Sequence, residues 1–286
     1  MTEPRKKRGS FFLSLAIAGV VAILFWSVVL MIFEEKFIYF PAVYPDGVYE
    51  SEARALQPED HWFTTDDGVK LHAWSLRSDS AAPTVIHFHG NAGNLSHRGE
   101  ILRRLHASGF NVFIFDYRGY GKSEGSPDEE GVYKDGLAAF DYVSGLSGID
   151  RSSIVLFGTS LGGAVAVEVA ARKKPVALIL ESTFSSARDV AAAAYPYLPA
   201  RWLLRTKFDS ESKIRSLTIP LLFIHGTDDS IIPFELGRKL YEAANEPKEF
   251  YTVEGADHNN VFLIGGREHQ RRIKEFVESV VHDPRR

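Results

Sequence analysis

A glycine-flanked serine is the first place in this chain where the residue types and their spacing suggest chemistry. The segment GTSLG at 158–162 follows the apolar run SIVLF at 153–157 and precedes GAVAVEVAARKK, a run typical of a helix. A strand, a G-x-S-x-G turn and a helix form a nucleophile elbow, in which the serine hydroxyl projects above the sheet. The glycines leave room for the neighbouring strand and helix to approach. The motif therefore predicts that Ser160 is the nucleophile of an acyl-transfer reaction.

Two residues further along the chain can activate this serine. A serine hydroxyl is a weak nucleophile until a base takes its proton. In chains with this elbow the acid and then the histidine follow the serine, each just after a later strand. Asp229 follows the run IPLLFIH at 219–225, and His258 follows KEFYTV at 248–253. We expect His258 to accept the proton of Ser160, and Asp229 to fix the imidazole tautomer and stabilise the imidazolium.

The acid has two competitors. Asp228 is adjacent to Asp229, and neighbouring residues at a strand end point in different directions, so only one of them can reach His258. Glu181 comes directly after the predicted strand at 176–180 and is a further candidate. We place the acid at Asp229.

The other histidines have simpler interpretations. His72 and His87 lie within predicted strands and are expected to be structural, whereas His225 is expected to order the acid loop. His87 and His89 form an H-x-H pair, but no third ligand follows at a suitable spacing, so we predict no metal site and no cofactor. Solvent-facing positions are expected for the remaining five, His61, His97, His106, His269 and His282.

Acyl transfer also needs hydrogen-bond donors for the oxyanion that develops on the substrate carbonyl. The first predicted donor is the backbone N–H of Leu161, directly after the nucleophile. The second comes from the loop HGNAGN at 89–94, where Gly90 allows a tight turn and the N–H of Asn91 is the expected donor. A phosphate-binding loop fits this segment poorly, because it has neither G-x-G-x-x-G nor a P-loop lysine.

The elements that must position these residues alternate between strand and helix. Continuous apolar runs suit strands that are covered on both faces, as in a parallel sheet. The class is therefore α/β, with a mostly parallel central sheet and helices on both faces, and residues 61–65 can add an antiparallel edge. Strands are predicted at 69–76, 84–89, 111–116, 153–157, 176–180, 219–225 and 248–253, and helices near 98–108, 129–146, 161–173, 235–244 and 267–282.

A long segment, residues 181–218, separates the predicted strand at 176–180 from the next one at 219–225 and interrupts this alternation. Structureless connections of such length are uncommon and often functional, so we predict a short helical cap at about 184–213. Within it, Tyr195, Tyr197 and Trp202 are predicted to line an apolar acyl-binding site. The alternative is that these aromatic residues only pack the cap onto the sheet.

The amino-terminal segment predicts a membrane anchor. Residues 11–33 contain no charged side chain, and a helix of that length is long enough to cross a hydrocarbon core of about 30 Å. The preceding residues 1–10 carry four basic side chains and one acidic one, and such a basic tip is expected to stay in the cytoplasm. A single-pass signal anchor would place the catalytic domain on the extracytoplasmic side, which in a bacterium is the periplasmic face of the inner membrane. A cleaved secretory signal and a buried core helix are the alternatives.

Composition excludes several classes of protein. The 286 residues include no cysteine, which excludes thiol nucleophiles, zinc–thiolate sites and iron–sulfur clusters. The net charge is −4, and removing the +3 of residues 1–10 leaves −7 for the rest of the chain, which argues against nucleic acid as a partner. The expected partners are the membrane and a small acyl or lipid-like substrate, and the oligomeric state stays open.

The chain resembles the α/β-hydrolase superfamily, and in particular its small membrane-anchored serine hydrolases, whose eukaryotic relatives include protein depalmitoylases and lipid-directed esterases. The resemblance covers roughly residues 60–282 and implies a central sheet of about eight strands. We predict a hydrolase domain of residues 61–286, with residues 34–60 as a tether that packs onto it. On the basis of this resemblance, we expect structural roles for Asp116, Arg118, Gly119 and Gly121. The motifs that carry it occur in family order at 87–94, 116–127, 158–163, 181–186, 225–233 and 255–260.

These observations predict a serine hydrolase that cleaves carboxylic esters or thioesters through an acyl-serine intermediate. A serine aminopeptidase or amidase on the same fold is the first alternative, with Glu181, Asp189 and Asp209 available to hold a substrate ammonium. A membrane-tethered binding module without catalytic activity is the second. One fold hosts many chemistries, so the substrate does not follow from the resemblance.

Overall fold

The computed structural model describes residues 34–196 and 204–281, together with 11–15, 17–19, 21, 25, 26 and 29. The basic tip at 1–10 and 11 of the 23 residues of the predicted anchor at 11–33 therefore lie outside the described residues, as do Tyr197 and Trp202 of the predicted cap. Among the residues that the structure describes, no helix combines the length and the apolar character needed to cross a membrane.

From residue 34 onwards, short elements precede the alternating strands and helices. The strands are β1 Phe40–Pro41, β2 Glu59–Thr64, β3 Lys70–Leu76, β4 Thr84–Phe88, β5 Ala92–Gly93, β6 Asn111–Phe115, β7 Ile154–Thr159, β8 Ala177–Glu181, β9 Leu221–Gly226 and β10 Lys248–Val253. The helices are α1 Glu34–Ile38, α2 Tyr49–Leu56, α3 Gly99–Ala107, α4 Glu129–Ser144, α5 Leu161–Lys173, α6 Ala187–Ala194, α7 Ser210–Ile214, α8 Phe234–Ala243 and α9 Val261–Val281.

Eight of these strands form one sheet in the order β10-β9-β8-β7-β4-β6-β3-β2. The pairs from β10 to β6 are parallel, whereas β3 is antiparallel to both of its neighbours, β6 and β2. The prediction of a mostly parallel sheet with an antiparallel edge is confirmed. In this arrangement the carboxyl ends of β7, β8, β9 and β10 meet along one edge of the sheet, where ligands bind in open α/β sheets.

The central strands are buried because apolar side chains cover both faces of the sheet. Every residue of β4, β6, β8 and β9 is buried. On one face Val165 of α5 and Phe140 of α4 pack in one cluster with Phe88. On the other face Leu102 of α3 and Phe276 of α9 pack in a second cluster. Each fully buried side chain of this kind contributes about 1.5–3 kcal/mol, so the two layers hold the sheet rigid beneath the site.

Helix α9 differs from its predicted extent at the amino-terminal end. The apolar periodicity predicts a helix from residue 267, but the helical segment begins at Val261 and is interrupted at Gly266, where φ is 53°. This backbone conformation is one that glycine adopts without a steric cost. The break separates the first turn, close to His258, from the long amphipathic part that packs on the sheet.

Residues 34–60 are folded against the domain. Strand β1 pairs in parallel with β5, and Val43 forms a bridge with Gly121. Tyr49 of α2 is buried, and its hydroxyl donates a 2.8 Å hydrogen bond to the fully buried carboxylate of Asp116. Asp116 also accepts a 2.7 Å bond from the backbone N–H of Leu95. One carboxylate therefore ties α2 and the loop after β5 to the end of β6.

Replacement of Asp116 by asparagine is expected to destabilise the fold. Burial alone would raise the pKa of Asp116, but its interactions with His72, His89 and Tyr49 outweigh burial and lower the pKa to about 2. Loss of charged hydrogen bonds costs about 2–3 kcal/mol, or a fall in Tm of roughly 4–12 °C. Thermal unfolding of the full chain in detergent measures this.

The pH dependence of stability has a defined sign. Because the pKa of Asp116 is lower in the folded chain, its stabilisation is complete above about pH 4 and is lost as the pH falls towards about 2.

The matched control for Asp116→Asn is Asp141→Asn, since the Asp141 carboxylate is exposed and its ion pair with Lys173 contributes little. An equal Tm for the two variants at pH 7 would contradict the structural role of Asp116.

Candidate active site

Ser160 lies in a strained turn between β7 and α5. Its backbone has φ 55° and ψ −121°, a conformation that residues with a side chain rarely adopt. The flanking glycines explain how the turn fits: a Cβ on Gly162 would lie 2.0 Å from the carbonyl oxygen of Phe88, and one on Gly158 would lie 2.6 Å from that of Gly162. Strain of this kind persists only where the surroundings impose it, and it is frequent at active sites.

The structure brings Ser160, His258 and Asp229 into one hydrogen-bonded chain. The Nε2 atom of His258 lies 3.0 Å from the Oγ atom of Ser160. Its Nδ1 atom lies 2.8 Å from Oδ2 and 3.0 Å from Oδ1 of Asp229. The carboxylate accepts a hydrogen bond from the Nδ1–H group, and this tautomer leaves the lone pair on Nε2 facing the serine hydroxyl. This is the arrangement in which a histidine acts as the general base for a serine.

Asp229 is held as an anion by its surroundings. Its Oδ1 atom accepts hydrogen bonds from the backbone N–H groups of Ile231 and Ile232, at 3.0 and 2.7 Å. Burial alone would raise the pKa of Asp229, but the bonds from His225 and His258 outweigh it and hold the pKa well below its usual range. His225 also contacts the carbonyl oxygen of Ile232 at 2.9 Å, so it orders this loop.

The two competing acids are placed differently. Asp228 is exposed to solvent and accepts a hydrogen bond from the hydroxyl of Thr227. Glu181 is buried at the end of β8, where its carboxylate lies 2.5 Å from Nε2 of His269. Neither acid contacts His258 in the part of the chain that the structure describes.

The expectation that His269 faces solvent is wrong. Its side chain is buried, and it packs on the apolar face of α9. The sequence contains the signal that identifies this position, because His269 stands four and seven residues before Ile273 and Phe276, the spacing of one helix face. The polar neighbours in the sequence obscured that pattern.

The loop after β4 lies beside the nucleophile. Gly90 is so close that a Cβ atom on it would lie 3.5 Å from the Cβ atom of Ser160. The side chain of Asn91 turns away from the serine: its Oδ1 atom accepts a 2.8 Å bond from the hydroxyl of Tyr120, and its Nδ2 atom donates to the carbonyl of Ile38. These bonds fix the loop, and Asn91, like Leu161, lines the same cavity as Ser160.

The cavity above Ser160 and His258 has a volume of about 860 Å³. This is within the range of pockets that bind drug-sized ligands. Its walls are mostly apolar and come from the predicted cap, the acid and histidine loops, the residues after the predicted anchor, the segment from β4 to α3 and the turn at Ser160. Representative wall residues are Val190, Ala191, Phe208, Ile231, Val261 and Phe262.

The described part of the cap contributes one of its three predicted aromatic residues. Tyr195 lines the cavity and is 58% exposed, which places it at the rim rather than in the packed interior. Tyr197 and Trp202 lie outside the described residues, so their placement stays a prediction.

Sequence reasoning missed one wall of this cavity. Phe37 and Ile38 of α1 and Phe40 of β1 line it, and Phe37 and Phe40 are more than half exposed. The buried carboxylate of Glu34 accepts hydrogen bonds from the backbone N–H groups of Arg205 and Thr206. The only local signal was the aromatic spacing of KFIYF at 36–40, which fits packing as well as binding.

Comparisons with known proteins agree with the fold. Residues 79–209 match the family model described as serine aminopeptidase, S33. An uncharacterised protein of Mycobacterium tuberculosis is 38% identical over 92% of this chain and 95% of its own length. The α/β hydrolase domain-containing protein WAV2 of Arabidopsis thaliana is 34% identical over 96% of this chain and 95% of its own. The Pyrococcus furiosus esterase Pf2001 superposes with a TM-score of 0.71 at 22% identity, covering 85% of this chain and 98% of that structure.

Proposed function

Because this chain belongs to the α/β-hydrolase family, we propose that it is a serine hydrolase that cleaves carboxylic esters or thioesters of acyl substrates. The observation that carries this proposal is the hydrogen-bonded chain from Asp229 through His258 to Ser160, which opens into a large, mostly apolar cavity. Burial of apolar substrate surface in such a cavity favours acyl chains over polar peptides.

The reaction follows from the positions of the groups. The Oγ atom of Ser160 attacks the substrate carbonyl carbon while Nε2 of His258 takes the hydroxyl proton. The backbone N–H groups of Leu161 and Asn91 are the donors proposed for the resulting oxyanion. Collapse breaks the ester or thioester bond, and the imidazolium gives its proton to the departing alcohol or thiol. Water, activated by the same imidazole, then hydrolyses the acyl-serine.

A membrane location supports the choice of lipid-like substrates. The uncharged run at 11–33 ends one residue before α1, and Phe37 and Phe40 line the cavity just beyond it. We propose that 11–33 is a signal anchor, that the basic tip is cytoplasmic and that the domain is extracytoplasmic. Membrane fractionation with alkaline extraction, combined with protease access to the domain in intact and permeabilised cells, tests both parts. Release of the protein by alkaline extraction would contradict the anchor. Protection of the domain from protease in cells whose outer envelope is permeabilised and whose inner membrane is intact would contradict the orientation.

The acyl preference is tested with p-nitrophenyl esters of increasing chain length. We expect kcat/KM of the full chain in detergent to rise from acetate to octanoate, by up to about fourfold for each methylene that the cavity buries. A series with thioesters of the same acids separates the two leaving groups. Equal kcat/KM values along the series would contradict an acyl-binding cavity without affecting the assignment of the nucleophile.

We expect activity to fall as the pH is lowered from about 8 to about 5, because only a neutral imidazole accepts the proton of Ser160. Asp229 adds no second transition in this range, since its pKa is held well below the usual value and it stays ionised. The profile of kcat/KM against pH, measured with one ester, is the test. A flat profile would contradict the role of His258 as the base.

The aminopeptidase alternative is favoured by the description of the matching family model. A substrate ammonium needs a free carboxylate near the cavity, but the three candidate acids are engaged elsewhere. Glu181 contacts His269, Asp189 contacts Lys239 at 2.8 Å, and Asp209 caps α7 through the backbone N–H of Ser212. Aminoacyl arylamides distinguish the two functions: hydrolysis of these amides faster than octanoate esters would replace the esterase proposal.

A binding module without catalysis is the remaining alternative. A fluorophosphonate probe reacts with activated serines and so reports the nucleophile independently of the substrate. We expect the folded chain to be labelled at Ser160. Absence of labelling in a folded sample would favour the binding module.

A further inference from the structure

Arg98 places a guanidinium in the wall of the cavity. It ends the short 3₁₀ helix Leu95–Arg98, which the side chain of Asn94 caps, and it lines the same cavity as Ser160. Its Nη2 atom donates to the carbonyl oxygen of Ala92, one residue beyond Asn91. Its Nε atom is buried and has no hydrogen-bond partner among the described residues.

The other charged groups of the cavity wall are already satisfied. Glu34 accepts hydrogen bonds from the N–H groups of Arg205 and Thr206, and Glu181 contacts His269. Burial lowers the pKa of His87, a third titratable wall residue, to about 3, so this imidazole is neutral. No carboxylate of the described residues lies within 4.0 Å of Arg98.

Two further sources of a counterion are excluded. The buried carboxylate of Asp116 is used by Tyr49 and Leu95 and forms no ion pair with Arg98 in the described part of the chain. The cap segment YLPARWL at 197–203 contains no acidic residue. Burial lowers the pKa of Arg98 below its usual range although Asp116 opposes this, which reflects the cost of leaving the cation without a close partner. A guanidinium nevertheless stays charged in proteins.

An unpaired cation in an apolar wall is costly, and an anionic ligand removes that cost. The planar fork of arginine matches the oxygens of a carboxylate or a phosphate. We propose that Arg98 binds an anionic oxygen group of the substrate, so that the hydrolase acts on acyl esters or thioesters that carry a carboxylate or a phosphate. This inference rests on the proposed function and names the substrate class of the same site.

Paired substrates test the inference and identify the source of the charge. The first pair is 1-octanoylglycerol and its 3-phosphate, with the charge on the alcohol part. The second is p-nitrophenyl octanoate and the mono-p-nitrophenyl ester of octanedioic acid, with the charge on the acyl part. We expect kcat/KM for the anionic member of one pair to exceed that for the neutral member by about 10-fold or more, the scale of a charged hydrogen bond. The pair that shows the preference locates the anion.

Variants assign that preference to Arg98. Arg98→Met is expected to abolish the preference, which is the ratio of kcat/KM values within each pair and is therefore independent of any change common to both members. Arg98→Lys is expected to keep part of the preference. The matched control is Arg188→Met on α6, because Arg188 is an exposed residue of the cap that does not line the cavity, so that its replacement removes one positive charge outside the site. Thermal unfolding shows whether each variant is folded.

The outcomes separate the two proposals. Equal rates within both pairs for the unaltered chain, or a preference that Arg98→Met leaves intact, would overturn the inference and leave the hydrolase standing. If no ester is cleaved and Ser160 is not labelled, the hydrolase fails. Binding of octanoylglycerol 3-phosphate and octanoylglycerol to the Ser160→Ala chain, measured by calorimetry, then decides on the anion site, with equal affinities counting against it.

Discussion

Replacement of Ser160 by alanine is expected to lower kcat/KM for an octanoate ester by about 10,000-fold or more. Removal of the nucleophile in a serine–histidine–aspartate arrangement leaves only the rate enhancement due to binding and oxyanion stabilisation. The strained turn at Ser160, where φ is 55°, holds its hydroxyl 3.0 Å from Nε2 of His258. No other hydroxyl in the described part of the chain makes a hydrogen bond with this nitrogen. No neighbouring group can therefore take over the attack.

The measurement combines ester hydrolysis with fluorophosphonate labelling, both on the full chain in detergent. Ser152→Ala is a matched control, since Ser152 is exposed and precedes β7 whereas Ser160 follows it. We expect this control to keep its activity and its labelling. Activity in the Ser160→Ala chain within 10-fold of the unaltered chain would remove the assigned nucleophile, because contamination and slow background hydrolysis are far weaker.

Replacement of Asp229 by asparagine is expected to lower kcat by about 10,000-fold while the fold is kept. The carboxylate accepts from Nδ1 of His258 at 2.8 Å, and an amide in its place can instead donate to Nδ1. The proton would then sit on Nε2, facing Ser160, and the imidazole could no longer accept the serine proton.

The adjacent Asp228→Asn is the matched control for this variant. Asp228 carries the same charge one residue away, but it is exposed and contacts Thr227 rather than His258. We expect Asp228→Asn to change kcat by less than about threefold. Comparable losses in both variants would indicate a general electrostatic or folding effect, and a loss confined to Asp228→Asn would reassign the acid.

The sheet was predictable because burial of its strands on both faces requires continuous apolar runs, which are visible in the sequence. Strands covered on both faces need continuous runs such as VLF at 155–157, and nearly every such run became a strand. The order of Ser160, Asp229 and His258 after three of these strands was equally visible, because each residue stands at a strand end. Because the carboxyl ends of parallel strands lie at one edge of the sheet, residues that follow these strands are brought to the same edge.

The sequence pattern did not predict the aromatic wall of the cavity or the positions of two polar residues, His269 and Arg98. Phe37 and Phe40 lie far from Ser160 in sequence and reach the cavity only because β1 pairs with β5. Such a pairing of two-residue strands leaves no periodicity in the sequence. His269 and Arg98 were overlooked because polar residues are usually exposed, and only the three-dimensional packing shows that one is buried and that the other lines the cavity.

The contact between Glu34 and the chain at Arg205 and Thr206 has a consequence for how a membrane-anchored enzyme would search for its substrate. In a chain anchored as proposed, the membrane-spanning segment ends at residue 33 and the folded domain begins at residue 34, so no flexible linker separates them. The mouth of the cavity would stay within a few ångströms of the lipid surface. Encounters would then depend on two-dimensional diffusion of molecules within the bilayer, and the bulk aqueous concentration of substrate would matter little.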